Sequence, residues 1–206
     1  MRVKLAFSIM VLVIILALST GCNSTSSNTT TTETTPAPTT PPATSLSLEQ
    51  AREQLTKTGA VFVSNVNMAS ELTDYPVATP SFIPDGFIPV ELPGGAFNVF
   101  KLGDPAHIEG VEYPYSVNEI YSQTGEYSTK VPYFQISQSR NRIGGPKGEP
   151  VQIGKHEGEK AIMSYLDPPR LALTWNDGVM YYSMEGILLN PLDEETLIRI
   201  AASMEY

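Results

Sequence analysis

A chain of 206 residues holds one ordinary domain with appendages, and a composition 41% hydrophobic and 17% charged is that of a globular protein. Its 13 Lys plus Arg against 22 Asp plus Glu give a formal net charge of -9. Nucleic acid and anionic headgroups are thereby excluded as main partners, since both demand a basic surface. A single cysteine cannot form an intramolecular disulfide, so the fold must rest on its core.

Arg2 and Lys4 precede the uncharged apolar run LAFSIMVLVIILAL, residues 5–18, and small residues Ser19, Thr20 and Gly21 lead to Cys22. This pattern predicts a secretory signal peptide over residues 1–21. Its apolar run falls short of the roughly 20 residues of a membrane-spanning helix. The placement of Cys22 resembles the lipobox of bacterial lipoproteins, whose cysteine is acylated once the chain is cut just before it. That family usually has Leu three residues before the cysteine; here Ser19 stands there and Leu18 lies one place further back. The resemblance implies lipidation of Cys22, with the membrane as partner and the extracytoplasmic face as location. Each buried acyl methylene contributes about 0.8 kcal/mol, so several chains hold far better than one.

Residues 23–45 contain no aromatic residue and one charge, Glu33. Such a segment cannot offset the entropy of ordering, which predicts a disordered Ser/Thr/Pro-rich tether over 22–46. PAPTTPP stiffens part of it toward polyproline II.

A folded domain is predicted over 47–206. Ser47 and Gln50 form a capping box, Leu48, Ala51 and Leu55 share one helix face, and Gly59 is the stop. An ambiguous stretch follows. Pro80 and Pro84 exclude a central strand or helix, and Pro84-Asp85-Gly86 reads as a turn. Strands are predicted at 87–92, 97–102, 117–122, 131–138, 150–153 and 160–166, with long loops around 103–116 and 139–149. The strongest local signal is RLALTWNDGVMYYSMEG, residues 170–186. With Asp177-Gly178 as a two-residue loop, Trp175 faces Met180, Leu173 faces Tyr182 and Leu171 faces Met184 on one apolar face. The other face then pairs Thr174 with Tyr181, Ala172 with Ser183, and Arg170 with Glu185. A closing helix is capped by Asp193, carries Glu194 and Glu195 in its first turn, and presents Leu197, Ile200, Ala201 and Met204 to the hairpin. The fold class is α+β, an antiparallel sheet with flanking helices.

ATPSFIPDGF, LTWNDGVMYYSMEG and LDEETLIRIAASM, in that order, resemble a domain of unknown function found in bacterial membrane-linked, sporulation and anti-sigma-type proteins. The residues that carry the resemblance are Pro80, Pro84, Gly86 and Phe87, then Trp175, Gly178 and Tyr182, then Leu197, Ile200, Ala201 and Ser203. It spans about residues 75–206 and implies an extracytoplasmic domain, loosely similar to lipoprotein carriers and envelope-stress sensors. No catalytic or binding residues come with it. Residues 104–116 look longer than usual for the family, an insertion of this chain.

Catalytic signatures are missing: no Gly-x-Ser-x-Gly, His-Glu-x-x-His, phosphate-binding or calcium loop occurs. His107 and His156 are the only histidines. His156 with Glu157 and Glu159 reads as a solvated turn between strands ahead of a metal site, so no metal, cofactor or enzymatic activity is expected. Two clusters suit binding. Tyr113, Tyr115, Tyr121 and Tyr127 crowd a Gly/Pro/Asn-rich region and offer rigid apolar area with polar tips, against the plainer reading that half are core. Arg140, Arg142, Lys147 and Lys155 surround a Gly144-Gly145-Pro146 loop and suit an acidic wall polymer, against a plain solvated loop. Tyr113, Tyr115, Arg140 and Arg142 are the candidate binding residues. The sequence thus points to a lipid-anchored, non-enzymatic interaction or sensor domain. Its expected partner is an envelope protein or cell-wall component. The alternative is a carrier that shields a lipid or other apolar ligand between sheet and helix.

Overall fold

Ser47 opens the folded part as its sequence demands. In the computed structural model, Ser47 Oγ accepts from the Gln50 amide at 3.3 Å and the Gln50 side chain accepts from the Ser47 amide at 2.9 Å. These two bonds satisfy amides that helix α1 (Leu48–Thr58) would otherwise leave bare. Gly59 ends the helix in the left-handed conformation, φ 76°. The described residues are 46–102, 115–141 and 147–205; the leader, Cys22 and the tether up to residue 45 lie outside them, as do His107, Tyr113 and Arg142.

A strand and a helix occupy the stretch whose sequence is ambiguous. Strand β1 (Ala60–Val63) leads to helix α2 (Val66–Thr73), capped by Asn65, which accepts from the Met68 amide at 2.9 Å, and stopped by Asp74 at φ 60°. Strand β2 (Thr79–Pro80) is confined to two residues, as its proline requires. The remaining strands are β3 (Ile88–Pro89), β4 (Phe97–Lys101), β5 (Tyr115–Ser122), β6 (Tyr133–Ser139), β7 (Glu149–Ile153), β8 (His156–Met163), β9 (Arg170–Asn176) and β10 (Tyr181–Ile187). Helix α3 (Glu194–Ala202) and β11 (Met204–Glu205) complete the chain.

Nine strands form one antiparallel sheet in the order β1-β4-β5-β6-β10-β9-β8-β7, with β3 pairing the far end of β5 in line with β4. A second ladder joins β2 to β11, and Ser81 and Phe82 hydrogen-bond Ser203, so the proline-rich segment is stitched to the C-terminus. Strand alternation sends Val61, Val99, Val117, Ile136, Leu171, Leu173 and Met184 to one face. There they share a single buried cluster with Ala51 and Leu55 of α1, Ala69 and Leu72 of α2, and Leu197, Ile200 and Ala201 of α3. All three helices therefore cover the same face.

The structure confirms the α+β class and corrects several details. Only Ile88–Pro89 of the expected 87–92 strand is a strand, because Pro89 cannot donate to a ladder. The expected strand at 160–166 begins earlier, so His156, Glu157 and Glu159 sit within β8 and not in a turn.

The hairpin register also differs. Trp175 pairs with Tyr182, Leu173 with Met184 and Leu171 with Gly186, so the loop is four residues long. Asp177 is the cause: its Oδ1 accepts from the Val179 amide at 2.8 Å and the Met180 amide at 2.7 Å, while Gly178 takes φ 95°. These bonds satisfy amides that a two-residue loop would leave in the ladder. The slip is two residues, and a strand's period is two, so every side chain keeps its predicted face. Arg170 and Glu185 become diagonal neighbours and still pair, Nη1 to Oε1 at 2.6 Å. Helix α3 packs on the hairpin as expected, with Leu197 against Gly186, where a Cβ would come within 2.5 Å of Leu197 Cδ2.

Candidate functional site

The sheet face opposite the helices carries a different chemistry. Cross-strand pairing lines up Phe62, Asn98, Asn118, Ser137, Ser183, Thr174 and Glu159 as one row running from β1 to β8. Every member of the row from Asn98 to Thr174 is an uncharged amide or hydroxyl, half-buried in the sheet surface. Ser137 Oγ donates to Asn118 Oδ1 at 3.2 Å. Asn98 Oδ1 and Ser122 Oγ, both on this face, lack hydrogen-bond partners.

Aromatic residues stand at the margins. Phe100 faces Ser116 on β5, and Tyr181 faces Ser139 on β6 and Asn176 on β9. At the other end of the strands Tyr127 packs edge-on against Tyr133, centroids 4.9 Å apart, and the Arg170 guanidinium lies 5.9 Å from the Tyr133 ring. Among the described residues of the strands from β1 across to β9 in sheet order, the only charged side chains on this face are Arg170 and Glu185, which pair; beyond them β8 adds Glu157 and Glu159 at the edge. No helix of the described residues covers it.

The candidates read from sequence are placed elsewhere. Tyr115 opens β5 on the helix-covered side and packs against the core cluster; its carbonyl accepts from Tyr75 Oη at 3.3 Å and Ser139 Oγ at 3.1 Å. Arg140 follows β6 at the same end of the sheet, close enough for its charge to act on Tyr75, whose hydroxyl is pushed well above its ordinary range by burial. Tyr115 and Arg140 thus both neighbour Tyr75 at the core's rim. Tyr121 is buried and stacks on Phe134 at 4.9 Å, Tyr127 is 47% exposed, and Tyr113 lies outside the described residues. The basic patch is dispersed: Lys147 precedes β7 and Lys155 lies in the turn beyond it, at opposite ends of the β7–β8 hairpin. Sequence reasoning missed Asn98, Asn118, Ser137, Ser183 and Thr174, because uncharged polar residues scattered among strands carry no local signature.

Two other places hold ionisable groups. A cleft of about 340 Å³ between the hairpin tip and the end of α3 is lined by Lys155, His156, Trp175, Asp177, Tyr182 and Glu205. Trp175 and Tyr182 stack at 4.9 Å beneath it, both buried, and Tyr182 Oη donates to Asp177 Oδ2 at 3.0 Å. Among the described residues no group of three or more His, Cys, Asp or Glu is placed to hold a metal ion. The second place is Glu119, which is only 3% exposed and lies on the helix-covered face between Phe97 and Ile136 of the adjoining strands. Tyr121 Oη donates to its Oε1 at 2.7 Å. Loss of hydration pushes the Glu119 carboxyl up to about 7, and the Tyr121 hydrogen bond restrains the rise.

Among the described residues no helix is long and apolar enough to cross a membrane. A scan against protein-family models finds no match for the chain, and searches of curated proteins and of solved structures find none either.

Proposed function

We propose that the chain is a lipoprotein anchored through Cys22 on the extracytoplasmic face of a membrane, and that its folded part is a non-enzymatic recognition domain using the helix-free sheet face. The observation that carries this reading is the contrast between the two faces. On the helix-covered face Ile136, Leu171, Leu173, Met184 and Ile200 are wholly shielded from solvent, and Leu197 fits against Gly186 with no space for one more carbon. A filled core of this kind favours surface recognition over a carrier that encloses its ligand. The opposite face combines Asn, Ser and Thr side chains with marginal aromatics, the mixture that adaptable recognition surfaces use. The leader and Cys22 support the anchorage, as does the resemblance to an extracytoplasmic domain.

The test has two parts. Mass spectrometry of the mature N-terminus should find an acylated Cys22, and Cys22→Ser should move the protein out of the membrane fraction. A photo-cross-linker at Asn118 or Ser183 should capture an envelope component in intact cells, while one at Glu53 on α1 should not. Capture from Glu53 alone would refute the assignment of the face. A native mass spectrum carrying a discrete apolar ligand would favour the carrier.

A further inference from the structure

We propose that the helix-free face binds an uncharged glycan chain, laid across the strands along the row from Asn98 to Thr174, beside Phe100 and Tyr181. This inference rests on the reading of that face as the recognition surface and names the chemistry of the partner. Three observations lead to it.

Charge comes first. The protein carries a net -9, yet the ladder from β1 across to β9 in sheet order shows no unpaired charge on this face. A polyanionic wall polymer would meet no free cation there and would be repelled by the whole chain, whereas a basic partner would find its carboxylates elsewhere. The second observation is the arrangement of polar groups. Protein interfaces put an apolar cluster at the centre and polar groups at the rim. Here the order is inverted: Asn98, Asn118, Ser137, Ser183 and Thr174 occupy the centre and aromatics the margin. Amides and hydroxyls both donate and accept, so they match a ligand built of neutral hydroxyls.

The third is spacing. Phe100 on β4 and Tyr181 on β10 sit at one level of the sheet, separated by β5 and β6. Three strand intervals are about 14 Å. Two half-buried rings at that distance offer apolar platforms for the C–H faces of sugar rings; Ser116 and Ser139 between them are buried, so the accessible polar groups are the half-buried Asn118, Ser137 and Ser183 of the next row. A short run of sugars crossing the strands would meet a ring at each end, with Asn118, Ser137 and Ser183 alongside.

The experiment is affinity measurement on full-length protein purified in detergent. The probes are linear hexamers of glucose, xylose, mannose and N-acetylglucosamine, with a polyglycerol phosphate as the anionic comparison. Saturable binding of at least one neutral hexamer is expected, hardly altered by about 0.5 M salt, where screening is nearly complete. Phe100→Ala and Tyr181→Ala should each weaken it at least about tenfold, and Arg199→Ala on α3 should leave it unchanged. Should a ring deletion unfold the protein, Asn118→Asp and Ser183→Asp carry the same test, since each places a charge in the row, the first without a change of size. The inference is overturned if no neutral hexamer binds, if binding survives all four face variants, or if only the polyphosphate binds. Capture of an envelope protein through Asn118 without glycan binding would overturn the glycan and leave the recognition face standing.

Discussion

Glu119→Gln isolates what a buried carboxyl does to this fold. Its neighbours on the same face are Val117 and Tyr121 along β5, with Phe97 and Ile136 across, so the ionised form loses its hydration and gains one hydrogen bond in return. In the unfolded chain the carboxyl titrates near its ordinary 4.5, and in the folded chain near 7. Below pH 4.5 both states hold the proton and no penalty exists. Between the two values the unfolded chain ionises while the folded one does not, and stability falls by up to about 1.4 kcal/mol per pH unit. The separation of about 2.5 pH units amounts to a loss of about 3 kcal/mol by pH 8.5. Glutamine keeps the Oε1 acceptor for Tyr121 but brings an amide that needs a partner, so the variant should match or fall below the native chain at pH 4.5. Urea unfolding of both proteins from pH 4.5 to 8.5 reads the effect. Exposed carboxylates are common to both and cancel, and the variant should gain about 3 kcal/mol on the native chain across that range. A difference that stays constant with pH would refute the reasoning.

Gly186→Ala should cost about 1–3 kcal/mol in urea unfolding, because the new methyl meets Leu197 where α3 presses on β10; a neutral effect would mean the helix seat is loose. Asp177→Ala removes the acceptor for two loop amides and the partner of Tyr182 Oη, and should lower stability by about 1–3 kcal/mol. Asp177→Asn retains Oδ1 and should lose less, so equal losses would show that the amide bonds do not fix the loop. Ser47→Ala should cost about 0.5–2 kcal/mol through the lost cap, read by the same denaturation. Arg170→Met leaves Glu185 without its partner and should reduce stability at pH 7 while acid lessens the deficit; an unchanged midpoint would mean the pair contributes nothing.

What the sequence by itself determined lies within a few residues of each signal. Ser47 with Gln50, Gly59 and Asp193 announce helix ends because a cap reaches only three or four residues along the chain. Asn65 and Asp74 bracket α2 by the same logic, yet its eight residues carry too short a pattern to read, and the stretch stayed ambiguous in the sequence. The faces of β9 and β10 followed from alternation alone, which is why a two-residue error in register left them intact. Tertiary structure decided the rest. It placed β10 between β6 and β9, tied β2 to β11 across more than half the chain, and turned Tyr115 toward the core. No local pattern relates Asn98 to Asn118, Ser137, Thr174 and Ser183. Only the hydrogen-bond ladder sets them in one row, and only the choice of all three helices to bury the opposite face leaves that row open.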